Sequence, residues 1–265
     1  MTRIHQLHLG HVRLPDSHPR AAELTCQIYS YAIEHPDGLI VIDTGPRPGH
    51  PIIDDLYAPE VISIIDALNE ASVDERDVAA VVNTHLHFDH CGQNHLLDHA
   101  PVWITQAELD VSTTEFYTVP EWANPEPDRL RLAADGETIA DGVTILHTAG
   151  HTPGHLSVTA RTDIGLEIIV GQACYTCAEY DASTVALTDM HTADWHHHRR
   201  RLPRPPPSPT TRPSPLQPRR HHLPLGPGGL ELTPSMASSS GNQPESRGAL
   251  AYHHADSCPG SVGSV

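Results

Sequence analysis

The stretch that most restricts the fold of this chain is residues 83–92, which read Asn-Thr-His-Leu-His-Phe-Asp-His-Cys-Gly. It follows an apolar run, Val78–Val82, that has the length and β-branched composition of a buried strand. The stretch is therefore expected to be a loop at the end of a strand. Three imidazoles and one carboxylate lie within residues 85–90, a density of ligand groups that favours a metal centre.

The spacing of these side chains divides them into two pairs. His85 and His87 are two residues apart and project to the same side of an extended loop, which suits one metal ion. Asp89 and His90 follow where a tight turn would direct them toward a second ion a few ångströms away. Imidazole ligands favour zinc, so the sequence predicts one or two Zn²⁺ ions. The alternative is a surface loop that is merely rich in histidine.

The His-x-His-x-Asp-His run of residues 85–90 is the signature of the metallo-β-lactamase fold, and this chain resembles that superfamily. Further matches follow in chain order: Val-Ile-Asp-Thr-Gly at 41–45, Ala-Gly-His-Thr-Pro-Gly-His at 149–155, Gly-Gln-Ala at 171–173, and Tyr175. Phe88 and the tyrosine three residues beyond position 172 are similar to the N-acyl-homoserine lactonase branch. The resemblance covers about residues 24–190. It implies an α/β fold, the αβ/βα sandwich of two packed sheets with helices outside.

The resemblance also implies a set of metal ligands: His85, His87, Asp89, His90, His151 and Gln172. The family carries an aspartate that bridges two metals where this chain has Gln172. A neutral amide brings no charge to offset two dications, so we expect the second site to be the weaker one. Asp43 is implied to orient a ligand histidine. A simple turn carboxylate is the alternative for Asp43.

By the same resemblance, the chain is expected to be a hydrolase that opens a lactone ring, with an N-acyl-homoserine lactone as the substrate. Tyr175 would donate a hydrogen bond to the carbonyl, and Asp89 would pass a proton to the leaving alkoxide. Phe88, Tyr117 and Trp122 are expected in the wall of the substrate pocket. For Tyr175, Tyr117 and Trp122, the alternative is that the side chain only packs against the rest of the protein. Two other functions stay open: a glyoxalase II-like thioesterase, and a metal-binding domain without catalytic activity.

Charge is distributed unevenly along the chain. Residues 1–195 carry a net charge of −22 and residues 196–265 a net charge of +5, which gives the overall −17. The acidic body argues against nucleic acid and anionic membranes as partners and favours a small neutral ester or lactone.

No apolar run is long enough to span a membrane, residues 1–20 lack the apolar core of a signal peptide, and the five cysteines have no regular spacing. These features predict a cytoplasmic protein. The oligomeric state is not indicated.

Residues 196–265 differ sharply in composition from the rest. They hold 13 of the 25 prolines and show neither helical nor strand periodicity, which predicts a disordered tail behind a domain of residues 1–195. The last helix, strand and histidine ligand of the family are missing, so we expect a sandwich that is incomplete at its C-terminus.

The chain contains no lysine, as a GC-rich gene would produce. Such a gene read out of frame encodes Pro, Arg, Gly, Ser and His. A frame shift near residue 195 is the favoured explanation, and a genuine basic interaction tail is the alternative.

The remaining sequence predicts alternating strands with a flanking helix, and residues 93–99 are also expected to be helical. Strands are predicted over residues 24–33, 39–42, 78–82, 102–105, 143–148, 156–160 and 167–170. Apolar residues at helical spacing predict an amphipathic helix over residues 59–71. The proline-rich residues 118–128 predict a loop without regular structure.

Overall fold

A seven-stranded sheet forms the first layer of the protein. The structure, a computed structural model, describes residues 2–18 and 21–174, and the backbone of residues 249–253. The strands of this sheet are β1 (Arg3–Arg13), β2 (Thr25–His35), β3 (Gly38–Ile42), β4 (Glu60–Val61), β5 (Val78–Val82), β6 (Val102–Ile104) and β7 (Leu130–Leu132). Their order is β4-β1-β2-β3-β5-β6-β7. Strands β3, β5, β6 and β7 run parallel, so the chain segments that follow them emerge at one edge of the sheet.

The second sheet contains five strands. They are β8 (Thr138–Ala140), β9 (Val143–His147), β10 (Leu156–Thr162), β11 (Gly165–Ile169) and β12 (Ala249–His253), in the order β12-β11-β10-β9-β8. Strand β12 pairs in parallel with β11 and satisfies backbone groups that β11 would otherwise expose at the sheet edge. The expectation of a tail without regular structure is therefore wrong for these five residues. The rest of residues 196–265 lies outside the described residues.

Short helices cover the outer face of the first sheet. They are α1 (Pro51–Tyr57), α2 (Ile64–Glu70), α3 (Phe88–Cys91), α4 (Gln106–Ser112) and α5 (Pro120–Ala123). Two of them start at side-chain caps: Ser63 accepts a hydrogen bond from the Ile65 amide, and Thr105 accepts one from the Glu108 amide. Within the part of the chain that the structure describes, no helix is both long and apolar enough to cross a membrane.

Alternation along the strands of the first sheet produces two apolar cores. On β3, Val41 packs in the core beneath the helices, where α2 contributes Ile64 and Leu68. Ile40 and Ile42, on the opposite face of β3, pack in the core between the two sheets. Both faces of the first sheet are thus covered, which confirms the predicted αβ/βα sandwich.

The predicted strands are found within a few residues of their expected positions, but two other segments differ. The helix predicted over residues 59–71 begins only at Ile64, because β4 pairs with β1 and Ser63 then caps the helix. The loop predicted over residues 118–128 contains α5. Pro120 stands in its first turn, where the missing N–H costs no hydrogen bond. Strand β1 was not predicted, since its apolar alternation is interrupted by a bulge between His8 and His11.

Candidate metal centre

Loops from both sheets meet at the candidate site. Asp43 follows β3, residues 83–92 follow β5, and His151 lies in the turn between β9 and β10. Gln172 lies just beyond β11, in the 3₁₀ turn Gly171–Ala173. The amide of Leu156 donates to the carbonyl of Thr84 over 2.8 Å, so a backbone hydrogen bond joins the two sheets directly beside the site.

Three imidazoles converge in the way that a single metal ion requires. The Nδ1 atom of His87 lies 3.1 Å from Nε2 of His85 and 3.1 Å from Nε2 of His151. Across all three residues, the ligand atoms lie within 4.8 Å of one another. Two nitrogens that bind a tetrahedral zinc ion at its usual bond length are separated by about 3.3 Å. The arrangement of these three side chains therefore fits a metal ion of this kind.

The same three imidazoles are uncharged near neutral pH. Burial lowers the pKa of His85 and of His151 well below the ordinary value, and the neighbouring histidines lower both further. Burial also lowers the pKa of His87 to about 4, although the charge of Asp89 opposes the shift. Neutral imidazoles offer the lone pairs that a metal needs, so no protons have to leave before binding.

Asp43 organises two of the histidines. Its carboxylate accepts hydrogen bonds from the Thr84 amide and hydroxyl, each over 2.7 Å, and lies 2.8 Å from Nδ1 of His90. Because the Thr84 hydroxyl donates to Asp43, it accepts from Nδ1 of His85 at 3.1 Å, which leaves Nε2 of His85 as the lone-pair nitrogen. Asp43 therefore contacts His90 directly and reaches His85 through Thr84.

His90 differs from the first three histidines in its charge. Burial acts to lower its pKa, but the charges of Asp43 and Asp89, together with the hydrogen bonds that His90 donates to Asp43 and Gln172, raise the pKa to about 9. Nε2 of His90 lies 3.6 Å from a carboxylate oxygen of Asp89. The structure thus brings Asp89, His90 and Gln172 together as the sequence predicts. In this cluster, however, His90 is protonated and pairs with the carboxylates of Asp43 and Asp89.

Gln172 is held in place by a buried histidine. The backbone amide of Gln172 donates to Nε2 of His155 over 3.1 Å, and Nδ1 of His155 lies 2.9 Å from the Thr148 hydroxyl. Both ring nitrogens of His155 are therefore used in holding the loop. A Cβ atom at Gly171, where φ is +57°, would lie 2.8 Å from His155, so glycine is required for this close approach.

A cavity of about 590 Å³ opens beside these groups. His87, Asp89, His151 and Gln172 lie in its wall, and apolar side chains provide most of the remaining lining. The predicted pocket residues Phe88 and Tyr117 both line the cavity. The ring centre of Tyr117 is 4.8 Å from that of His87, and the ring centre of Phe88 is 4.6 Å from that of Tyr57.

Two other predicted residues do not lie in the described cavity wall. Trp122 is only 8% exposed and packs in the core beneath the helices, with its ring edge-on to His50 at 5.9 Å. The expectation that Trp122 lines the pocket is therefore wrong, because α5 turns the indole inward and His50 stands in the cavity wall instead. Tyr175 lies outside the described residues.

Sequence reasoning missed Glu108, a buried carboxylate beside the metal loops. Burial raises its pKa, while its four hydrogen bonds act in the opposite direction. The sequence carried one signal, the Thr105-x-x-Glu108 pattern of a helix start, but that signal concerns only local structure.

Comparison with known protein families gives one match that covers most of the chain. A family profile described as the metallo-beta-lactamase superfamily matches residues 24–216. Among curated relatives, an N-acyl homoserine lactonase from a Bacillus species is 26% identical over 171 residues, which span 60% of this chain and 68% of the relative. The N-acyl homoserine lactonase AttM of Agrobacterium fabrum (strain C58 / ATCC 33970) is 29% identical over 153 residues, 49% of this chain and 58% of the relative.

Comparison with solved structures supports the same fold. An N-acyl homoserine lactone hydrolase with N-hexanoyl-L-homoserine bound at its catalytic metal centre superposes with a TM-score of 0.65 at 22% identity, covering 75% of this chain and 86% of that one. A probable metal-dependent hydrolase from Staphylococcus aureus superposes with a TM-score of 0.66 at 17% identity, covering 76% and 83%. At these identities the likeness concerns the fold alone.

Proposed function

The chain belongs to the metallo-beta-lactamase superfamily, and on that premise we propose that it is a zinc-dependent hydrolase that opens the ring of an N-acyl-homoserine lactone. The observation that carries the proposal is the convergence of three neutral imidazoles beside a largely apolar cavity, with His87 and His151 in the cavity wall. Curated relatives named as N-acyl homoserine lactonases, at 26% and 29% identity, support the choice of substrate.

In this proposal His85, His87 and His151 hold the principal metal ion. Asp89, His90 and Gln172 form a second and weaker site, because Gln172 brings no charge and His90 must first lose a proton. A bound metal would supply Lewis-acid polarisation of the lactone carbonyl and would lower the pKa of a water molecule.

Other residues would position the substrate and move the proton. Asp89 stands in the cavity wall with its side chain 13% exposed, where it would pass a proton to the alkoxide that leaves when the ring opens. Tyr175 would donate a hydrogen bond to the substrate carbonyl. Phe88 and Tyr117 would provide apolar contacts around the lactone and its acyl chain.

The charge and lining of the protein favour a neutral, apolar substrate. Cavity residues such as Leu14, Ile53 and Leu56 suit an acyl chain, and a body with a net charge of −22 would repel an anionic substrate. A glyoxalase II-like reaction on a glutathione thioester ranks lower, because glutathione carries carboxylates. A cytoplasmic location is part of the proposal and rests on the odd number of irregularly spaced cysteines.

The test of this function uses the full chain. We expect purified protein to contain zinc and to open N-acyl-homoserine lactones, with turnover lost after chelation and restored by added Zn²⁺. Proton release on ring opening, followed with a pH indicator, measures the rate. Zinc-loaded protein that turns over neither lactones nor thioesters would instead establish the catalytically inert alternative.

We also propose that residues 1–195 form the metallo-β-lactamase-like domain and that residues 196–265, β12 included, are a tail produced by a frame shift near residue 195. The proline content of the tail supports this division. Limited proteolysis should leave a fragment that ends near Trp195, and a chain expressed in the alternative frame after codon 195 should bind more zinc and turn over faster. A tail as resistant to protease as the body, or a repaired chain with no gain, would contradict the proposal.

A further inference from the structure

Glu108 is a carboxylate in the protein interior, with 1% of its surface exposed. It is the third residue of α4, and its amide donates to the side chain of the cap residue Thr105 over 3.1 Å. In a capping box, the carboxylate of the glutamate at this position accepts a hydrogen bond from the backbone amide of the cap residue. Here the carboxylate instead accepts four hydrogen bonds from other parts of the chain.

Two of the four donors belong to the loop that carries His151. The Oε2 atom of Glu108 accepts from the Thr152 hydroxyl over 2.7 Å and from the Gly154 amide over 3.2 Å. Thr152 is the neighbour of His151 in sequence, so these bonds fix the backbone beside that histidine. The loop lies so close to α4 that a Cβ atom at Gly154 would stand 2.2 Å from the Glu108 amide nitrogen.

The other two donors, Leu86 and Tyr117, lie in and beside the segment that carries His85 and His87. The Oε1 atom of Glu108 accepts from the Leu86 amide over 2.8 Å and from the Tyr117 hydroxyl. Leu86 stands between the two histidines, so its N–H belongs to the short backbone that joins them. Tyr117 in turn packs its ring against His87.

We propose that Glu108 is a positioning residue that holds the His85–His87 loop and the His151 loop at the separation required by one metal ion. The inference rests on the proposed metal site. Four donors use the full acceptor capacity of an ionised carboxylate, and a buried charge left without these partners would be costly. The two loops are therefore fixed to a common point before any metal arrives. Groups that hold metal ligands in this way typically change metal affinity by about 10–100-fold.

The substitution Glu108→Gln tests this role because it keeps the shape but turns one acceptor oxygen into a donor. We expect the Kd for Zn²⁺, measured on the full chain against a chromophoric chelator, to rise by about 10–100-fold. The absorption spectrum of the Co²⁺-loaded protein should also shift, since the ligands lose their fixed geometry. Asp110→Asn removes an equal charge from the exposed side of the same helix and serves as the matched control, with no expected change in either measurement.

A purely structural role predicts a different result. Glu108→Gln would then lower the free energy of unfolding of the metal-free protein and leave both the Kd for Zn²⁺ and the Co²⁺ spectrum unchanged, which would overturn the proposal. If that variant does not fold, Thr152→Val removes one hydrogen bond from the same carboxylate, and an unchanged Kd there would also overturn it. A native chain that binds Zn²⁺ without opening lactones would contradict the proposed function alone.

Discussion

Two groups of potential ligands lie side by side in this protein and differ in their charge. In the first group, His85, His87 and His151 are neutral, and their ring nitrogens approach to 3.1 Å. In the second group, His90 stands between the carboxylates of Asp43 and Asp89, and its pKa is about 9.

The difference follows from the neighbours rather than from burial, since His85 and His90 are both buried. Neighbouring imidazoles add to the effect of burial at His85, whereas two carboxylates outweigh burial at His90. Histidines of one short motif can thus occupy opposite protonation states. The first group can accept a metal directly, and the second must exchange a proton for it.

The largest effect should come from removing a member of the first group. We expect His87→Ala to lower the metal content by at least one equivalent and to weaken Zn²⁺ binding by more than about 100-fold, beyond the loss typical of groups that only support ligands. His90→Ala should leave the first equivalent bound. Elemental analysis of both variants makes the comparison. Unchanged zinc in His87→Ala, or an equal loss in His90→Ala, would break the distinction between the two groups.

A smaller effect should come from giving the second group a carboxylate. We expect Gln172→Asp to tighten binding of a second Zn²⁺ by about tenfold or more, the scale on which ligand charge tunes affinity for divalent cations. The backbone hydrogen bond of residue 172 to His155 is retained in this variant. Titration calorimetry on the metal-free protein would measure both sites. A second site no tighter than in the native chain would show that charge is not what limits it.

The next effect concerns the pH dependence of the metal-free protein. The pKa of His90 rises from about 6.5 in an unfolded chain to about 9 in the fold, so its protonated form stabilises the native state. This contribution, on the order of 3 kcal/mol, is complete below about pH 6.5 and is lost as the pH rises through 9. Asp43→Asn removes a neighbouring charge and should lower the pKa of His90. NMR titration of the ring and denaturant unfolding across this pH range would test both statements, and an unaltered pKa would contradict them.

The smallest effect should come from an equivalent change at the surface. Asp74 caps the 3₁₀ turn Glu75–Asp77 and pairs with Arg76, whose hydrogen bond lowers the pKa of Asp74 to about 2. The pair is exposed to solvent, where ion pairs contribute little. We expect Asp74→Asn to leave zinc content, turnover and the His90 titration unchanged, which makes it the control for Asp43→Asn. A measurable change in zinc content would point to a general effect of charge rather than a local one.

Much of the fold could be predicted because its strands are apolar runs with clear ends. Val78–Val82 is found as predicted, and its loop delivers the histidines to one edge of the sheet. The helix predicted over residues 59–71 was shorter in the structure because pairing of β4 with β1 depends on residues far apart in sequence. Strand β12 could not be predicted for the same reason, since its partner β11 lies about 80 residues earlier.

The candidate site could be predicted only in part. The motif places His85 and His87 together, and the family resemblance adds His151, but neither indicates that His90 is protonated between two carboxylates. The role of Glu108 depends on donors 9 to 46 residues away in the chain. Trp122 was misplaced because the sequence does not show which face of a four-residue helix is turned inward.

The hydrogen bond between Leu156 and Thr84 joins the two sheets beside the candidate site, and this docking has a consequence for the order of folding. His87 and His151 are 64 residues apart in sequence and follow strands of different sheets, so they meet only after the two sheets have docked. A metal ion bound by all three histidines would therefore bind after docking and would not act as an early nucleus that draws the chain together. It would instead stabilise the docked state once that state has formed, by an amount that rises with the logarithm of the free metal concentration. The rate of zinc uptake during refolding would then report the last step of assembly.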